Sequence, residues 1–338
     1  MNKKVGYAIA LAAALAAPFV IYPVFLMKVL CFALFACAFN LLIGFTGLLS
    51  FGHAAFFGAA GYVAGYVIKS MELPFELGVI GGVVVAALIG LVMGMLAIRR
   101  QGIYFTMITL ALAQMLFFVF LQAPFTGGED GLQGVPRGKL LGMISLENDM
   151  TLYYVVLAIF IVGFALIVRT VHSPFGQVLK AVKENEPRAI SLGYDVDKYK
   201  LLAFVLSAAL SGLAGATKTV VLGFETLTDV HWSMSGLVVL MTLVGGLGTL
   251  AGPVVGAIVI IALENKLGDL GNWLATLTSI EWFRSIGESV TIVTGFIFIV
   301  CVLAFRRGIV GELVELGKKK EKPVSTPMTA TVIKTMEG

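Results

Sequence analysis

Residues 78–98 have the sequence GVIGGVVVAALIGLVMGMLAI, an apolar run without a single charged side chain. A helix of about 20 such residues crosses the hydrocarbon core of a bilayer, so the run predicts a membrane-spanning helix. Arg99 and Arg100 follow it directly, as is typical of the cytoplasmic end of a span. The whole chain of 338 residues is 59% hydrophobic and 13% charged, a composition that excludes a water-soluble globular protein.

Further apolar windows of span length lie on both sides of this run. They predict helices at residues 5–26, 29–46, 52–68, 103–122, 151–169, 201–222 and 287–305. A cleavable signal peptide is the alternative for the first window, because Lys3 and Lys4 precede an apolar run that includes an Ala-Ala-Pro sequence. That run continues to Met27, which is span length and favours a retained helix.

The stretch 236–263 is apolar but too long for one plain span. Glycine and proline interrupt it at Gly245, Gly246, Gly248, Gly252, Pro253 and Gly256. We interpret it as two short helical arms joined at a Gly-Pro break. Non-helical backbone at membrane depth must be satisfied by protein or a wet cavity, so we expect the break to be buried in the bundle. Glycines repeated every fourth residue are also typical of closely packed membrane helices.

These patterns predict an all-α fold, a polytopic transmembrane helical bundle with about ten membrane segments including the Gly/Pro-broken hairpin. It occupies residues 1–317, and the Lys-, Thr- and Pro-containing tail at 318–338 is predicted to be disordered and cytoplasmic. Placing both termini in the cytoplasm assigns most of the 24 Lys and Arg residues to inner segments. A single pass at 236–263 would put the basic cluster at 306–322 outside, so the charges also favour two arms.

Three features imitate motifs of soluble enzymes. Residues 212–219, GLAGATKT, nearly match a phosphate-binding P-loop, but Thr217 stands where the second glycine belongs. Residues 246–251 fit a dinucleotide fingerprint without the βαβ context that it needs. The three histidines lie in different segments, and the three cysteines have no metal-ligand spacing. We therefore expect no catalytic site, no metal site, no cofactor in this chain and no nucleic-acid partner.

The segment 170–200 is polar and charged and lies between two predicted spans. Pro174 and Pro187 predict the starts of two short helices, and Gly193 predicts the end of the second. An amphipathic loop lying on lipid headgroups is one interpretation. Acidic residues such as Glu184 and Glu186 among the lysines favour a docking helix for a cytosolic protein, because an anionic membrane surface would select basic residues alone.

Four blocks of sequence follow one another in a defined order. They are GFTGLLSFGHAAFFGAAGY (44–62), RRQGIYFTMITLALAQM (99–115) with FTGGEDGLQGVPR (125–137), SPFGQVLKAVKENEPRAISLGYDVDKYKLLAFVLSAALSGLAGA (173–216) and WSMSGLVVLMTLVGGLGTLAGPVVGA (232–257). Together they resemble the permeases of ABC importers for branched-chain amino acids, in particular the LivM-type subunit. The chain departs from the family in one place, since residues 305–311 lack the proline of the Phe-x-Pro-x-Gly-like closing segment.

The resemblance implies a subunit of an ATP-driven importer in the bacterial cytoplasmic (inner) membrane, moving leucine, isoleucine and valine inward. Its partners would be a second homologous permease, two cytosolic ATPase subunits that bind the ATP, a periplasmic substrate-binding protein and the surrounding lipid. Related subunits serve urea, short amides or other amino acids. Segment 170–200 would be the ATPase-coupling loop, with contacts from Lys180, Lys183, Glu184, Asn185, Arg188, Ala189, Leu192 and Gly193.

Polar side chains inside or near the apolar spans are candidates for the translocation pathway. They are Asn40, Ser50, His53, Thr106, Thr109 and Gln114. Such a group more often makes a hydrogen bond between helices than a contact with the solute, and for His53 a helix cap is the favoured interpretation. The spans contain no pair of Asp or Glu residues, which disfavours an ion-coupled secondary transporter. A scaffold or receptor would need neither the broken hairpin nor the coupling loop.

Overall fold

The computed structural model describes residues 11–140, 142–278, 295–296, 299 and 308–312. Within these residues the chain is built from helices, with two short antiparallel strand pairs in the connections. Most of the predicted span at 287–305 and all of the predicted tail at 318–338 lie outside the described residues.

The helices alternate between long apolar segments and short connecting ones. They are α1 (residues 11–16), α2 (Pro23–Thr46), α3 (His53–Lys69), α4 (Phe75–Ala97), α5 (Ile103–Gln122), α6 (Asp149–His172), α7 (Pro174–Glu184), α8 (Glu186–Ser191), α9 (Val196–Leu222), α10 (Leu227–Val230), α11 (Trp232–Gly245) and α12 (Gly252–Thr278). Five of them, α2, α4, α5, α6 and α9, are long and apolar enough to cross a membrane. The chain is therefore a multi-pass helical membrane protein.

Short strands pair within the connections at one end of the bundle. They are β1 (Leu132–Gln133), β2 (Lys139–Leu140), β3 (Ile144–Ser145) and β4 (Phe224–Glu225). Strand β1 pairs antiparallel with β4, with Leu132 opposite Glu225, and β2 pairs with β3. The first pair ties the long connection between α5 and α6 to the segment that follows α9.

The predicted boundary between the first two spans is wrong. The sequence predicts one span ending at residue 26 and the next starting at 29, whereas α2 begins at Pro23 and includes Lys28. Proline is favoured in the first turn of a helix, because its fixed φ suits a helix and the N–H that it lacks has no partner there. The pattern of apolar residues carries no such signal at 27–28, so it placed the boundary too late.

The connections gather at two opposite ends of the bundle. At one end, which we call the α7–α8 end, the Lys183 ammonium donates a hydrogen bond of 2.7 Å to the carbonyl of Gly44 in the last turn of α2. At the other end, the loop end, the Lys69 ammonium donates to the carbonyl of Gln133 at 2.6 Å. Successive long helices therefore run in alternating directions.

Helices α2, α3 and α9 form the centre of the bundle. In the most apolar window of α2, 78% of the residues are buried, whereas in that of α5 only 22% are, so α5 lies at the outside of the bundle. Where α3 crosses α9, a methyl group added at Gly215 would lie 1.9 Å from the carbonyl oxygen of Phe57. Only glycine permits this contact of two helix backbones.

Helices α11 and α12 are the two arms predicted from the glycine pattern, and residues 246–251 form the break between them. A methyl group at Gly245 would lie 1.9 Å from the Gly252 oxygen, and one at Gly256 would lie 1.8 Å from the Met241 oxygen. The two arms therefore touch through their backbones. The second arm is longer than predicted, since α12 continues past residue 263 to Thr278.

Candidate functional site

The α7–α8 segment is a well-defined pair of helices with its own caps. The Ser173 hydroxyl accepts from the Gly176 N–H at the start of α7, and the Asn185 side chain accepts from the Arg188 N–H at the start of α8. Side-chain oxygens at these positions satisfy N–H groups that a helix leaves free at its start. The two predicted helices are thus present, and Gly193 ends the second with a φ of +87°.

The two faces of this segment differ sharply. Val182 and Ala189 are buried and pack with Val196 at the start of α9. On the opposite side, Ile190 and Leu192 are 57% and 68% exposed. Two large apolar side chains are therefore exposed on an otherwise charged segment.

The eight predicted coupling residues take different positions. Glu184, Arg188, Leu192 and Gly193 are exposed, and a methyl group at Gly193 would meet nothing within 4 Å. The other four make contacts within the chain, as a cap, in the small core or against α2: Asn185, Ala189, Lys180 and Lys183. Of these, Lys183 and Asn185 are exposed as well.

Lys180 and Lys183 both reach from α7 to the last turns of α2. The Lys180 ammonium lies 5.9 Å from the centre of the Phe45 ring, within the range of a cation–π interaction. The Lys183 ammonium bonds to the carbonyl of Gly44, as described above. Helix α8 is fixed separately, because Glu186 accepts from the buried Lys200 at 2.6 Å and from Gln101 at 2.9 Å.

The connection between α2 and α3, residues 47–52, enters the bundle as non-helical backbone. Hydroxyl groups from α5 and α11 satisfy it: Thr106 donates to the Leu49 carbonyl, Thr109 accepts from the Phe51 N–H, and Ser235 donates to the Phe51 carbonyl. Without them, buried peptide groups would be left unpaired at a cost of several kcal/mol each in a membrane. We call residues 47–52 the re-entrant segment.

His53 begins α3 at the inner end of the re-entrant segment and does not act as the predicted cap. The residue is fully buried, and its Nε2 lies 2.8 Å from the hydroxyl of Ser207, which in turn donates to the Ala38 carbonyl at 2.6 Å. Ser207 lies about 16 Å along α9 from its start at 1.5 Å per residue. His53 therefore joins α2, α3 and α9 deep in the bundle.

The structure also places the other predicted pathway residues. Ser50 is buried, and its hydroxyl accepts from the Gly52 N–H. Asn40 is buried in α2 and binds the break between α11 and α12, donating to the Thr249 carbonyl at 2.8 Å and accepting from the Gly248 N–H at 2.9 Å. The Oε1 of Gln114 is buried without a partner among the described residues. Of the six, Ser50, His53, Thr106 and Thr109 come together around the re-entrant segment.

One buried cluster was missed by the sequence analysis. At the loop end, the Lys218 ammonium lies 2.5 Å from Asp229 and 3.2 Å from Glu225, and all three residues are at most 4% exposed. Thr219 also donates to Glu225. Burial raises the pKa of the Glu225 carboxyl to about 8, since removal from water penalises the charged form.

The path of the chain beyond α9 explains why this cluster is buried. Glu225 and Asp229 follow the last residue of α9, but the chain turns back at Gly223, whose φ is +75°, and buries both. A lysine at the end of an apolar helix, with two acidic residues within eleven positions, was the available signal.

The stretch that resembles a P-loop is part of a helix. Residues 212–219 lie inside the continuous helix α9, so their backbone cannot form the loop that surrounds a phosphate. Among the described residues no group of three or more His, Cys, Asp or Glu side chains is arranged to hold a metal ion.

Comparisons with known proteins agree with this architecture. A family model described as "Branched-chain amino acid transport system / permease component" matches residues 22–305. The chain is 24% identical over 257 residues to the "High-affinity branched-chain amino acid transport system permease protein LivM" of Escherichia coli (strain K12), which covers 69% of this chain and 60% of that protein. This chain therefore spans about 60% of the length of that relative.

Two further relatives differ in the solute that their names give. A "Probable branched-chain amino acid transport permease protein LivM" of Methanocaldococcus jannaschii is 27% identical over 138 residues, covering 40% of this chain and 39% of that protein. A "Ribose import permease protein RbsC" of Bacillus subtilis (strain 168) is 29% identical over 174 residues, covering 49% of this chain and 51% of that protein.

Proposed function

Because the chain belongs to the family of branched-chain amino acid transport system permease components, we propose that it is one transmembrane subunit of an ABC importer that carries branched-chain amino acids inward. Permeases of this family are not catalytic subunits, and ATP would be bound by partner ATPases. The observation that carries the proposal is the exposed face of α7 and α8, with its apolar centre at Ile190 and Leu192 and charged residues around it.

We assign this face to an ATPase subunit rather than to lipid headgroups. An apolar centre with a charged rim is the usual anatomy of a protein interface. Glu184 and Arg188 are both exposed at the rim, and this mixture of signs suits a protein groove better than an anionic membrane. Of the predicted coupling residues, we keep Glu184, Arg188, Leu192 and Gly193 as direct contacts and exclude Ala189, which packs inside the chain.

The remaining partners and the topology complete the proposal. A second, similar permease would cover part of the exposed surface of α5, and a periplasmic binding protein would meet the loop end. The α7–α8 end would lie on the cytoplasmic side of a bacterial inner membrane. The chain would cross that membrane with ten segments and have both termini in the cytoplasm. Closure of the ATPases would then move α7 and α8 as a unit and open the bundle alternately to the two sides.

The pathway and the solute are the finer parts of the proposal. We propose that the polar groups around the re-entrant segment, with Gln114 nearby on α5, lie beside the path of the solute, since interrupted helices mark the substrate path in many transporters. Leucine, isoleucine and valine are the proposed solutes because the family description and the LivM relatives name branched-chain amino acids. The similarity to a ribose permease makes a sugar the alternative.

Docking is tested by comparing two tryptophan variants in a pull-down of the ATPase subunits. Gly193→Trp and Gly134→Trp impose similar backbone strain, since both glycines have positive φ and open space around them, but they lie at opposite ends of the bundle. We expect Gly193→Trp to lose the ATPases and Gly134→Trp to retain them. Equal retention by both variants would return α7 and α8 to the interpretation of helices lying on headgroups.

A further inference from the structure

Lys183 connects the exposed α7–α8 face to the interior of the bundle. We infer that Lys183 is a positioning residue that transmits movement of α7 to both interruptions of the bundle, the re-entrant segment 47–52 and the break 246–251. The link passes through the last turn of α2. This inference rests on the proposed function, because it takes α7 and α8 as the place where the ATPases dock.

The first step is the cap that Lys183 places on α2. Gly44 lies in the last turn of that helix, where carbonyl groups have no N–H partner within the helix. The Lys183 ammonium supplies one, at 2.7 Å. A positive charge at the C-terminal end of a helix is further favoured by the helix dipole. The end of α2 is therefore held by a side chain from α7.

The second step joins this turn to the break between α11 and α12. A methyl group on Gly44 would lie 3.0 Å from the Cα of Gly248, so α2 and the break touch through their backbones. Asn40 stands one turn earlier, on the same face as Gly44. Its amide binds both the Gly248 N–H and the Thr249 carbonyl. A displacement of this turn of α2 must move the break as well.

The third step joins the same turn to the re-entrant segment. Gly47 ends α2 with a φ of +78° and starts that segment. A methyl group there would lie 3.3 Å from the Cγ of Lys183, so the stem of the lysine packs against this turn. The side chain thus touches the start of one interruption, while its ammonium fixes the carbonyl that lies beside the other.

Hydrogen exchange in the purified chain, without partners, tests the internal link. The Gly248 N–H donates to the Asn40 side chain of α2, the Thr249 N–H to the Gly246 carbonyl, and the Gly252 N–H to the Thr249 hydroxyl. Removing the ammonium in Lys183→Met should speed their exchange by about threefold or more, because local opening becomes easier. Lys183→Arg should restore slow exchange. Lys198→Met is the matched control, since in the described part of the chain that exposed lysine pairs only with Asp195, and it should change nothing at the break.

The assembled transporter tests the functional part. Lys183→Met should lower the ratio of substrate-stimulated to basal ATP hydrolysis by about threefold or more, while the ATPases still co-purify, and Lys183→Arg should recover the ratio. Unchanged exchange at the break, a normal ratio, or loss of the ATPases from Lys183→Met would each overturn the inference. If the wild-type chain itself binds no ATPase, the proposed function fails, and the inference falls with it.

Discussion

The buried cluster of Lys218, Glu225 and Asp229 gives the sharpest prediction for stability. The lysine bonds both acidic side chains, and the side chains are 4%, 0% and 6% exposed. Lys218→Met keeps the length of the side chain but leaves two buried acidic groups without their lysine partner. Removing one partner of a buried ion pair costs about 3 to 5 kcal/mol. At roughly 2 to 4 °C per kcal/mol, we expect a fall in Tm of about 6 to 20 °C.

The chain offers both a probe and a control for this measurement. Cys31 and Cys37 are buried, so a thiol-reactive dye reports their exposure when the purified protein is heated. Lys198→Met breaks an ion pair whose side chains are 79% and 50% exposed, and its Tm should match that of the wild type. Adding Asp229→Asn to Lys218→Met should recover part of the loss. An unchanged Tm in Lys218→Met would refute the buried cluster.

Three further predictions follow from single residues. The raised pKa of Glu225, about 8, means that the folded chain binds a proton that the unfolded chain releases, so the Tm of the wild type should fall as the pH rises from 5 to 9. Glu225→Gln should flatten this dependence, and an unaltered pH profile of Tm in that variant would contradict the raised pKa. Gly256→Ala should lower Tm through overpacking worth about 1 to 3 kcal/mol, whereas Gly236→Ala, which meets nothing within 4 Å, should not; equal effects would refute the backbone contact of α11 and α12. Cysteines at the exposed Glu184 and Thr228 should react with an impermeant thiol reagent only from the cytoplasm and only from the periplasm, respectively, and labelling of both from one side would refute the topology.

Local signals predicted the helices of segment 170–200 well. Pro174 and Pro187 lie in the first turns of α7 and α8, and Gly193 has the positive φ expected at the end of α8. Each of these depends only on the residue's own backbone preferences. The break between α11 and α12 could be predicted for a related reason. A stretch with this many glycines disfavours one continuous helix, and its glycines are typical of places where helix backbones pack closely.

Contacts between distant segments could not be predicted in the same way. The hydroxyls of Thr106 and Ser235 reach the re-entrant segment only because α5 and α11 pack beside it, and no local pattern distinguishes residues 47–52 from an ordinary turn. Lys183 was predicted to contact an ATPase subunit. The sequence of a polar, charged helix does not show that one of its lysines bonds to a backbone carbonyl inside the same chain. Its acceptor is a backbone carbonyl 139 residues away.

Transport itself tests the central claim most directly. In a strain that lacks only this gene, uptake of labelled leucine, isoleucine and valine should be lost, and the wild-type gene should restore it with a requirement for ATP. Uptake of labelled ribose should stay normal. Unimpaired uptake of all three amino acids in the deletion strain, together with a loss of ribose uptake, would contradict the proposed solute. Restoration that depends on an ion gradient in place of ATP would contradict the assignment as a subunit of an ATP-driven importer.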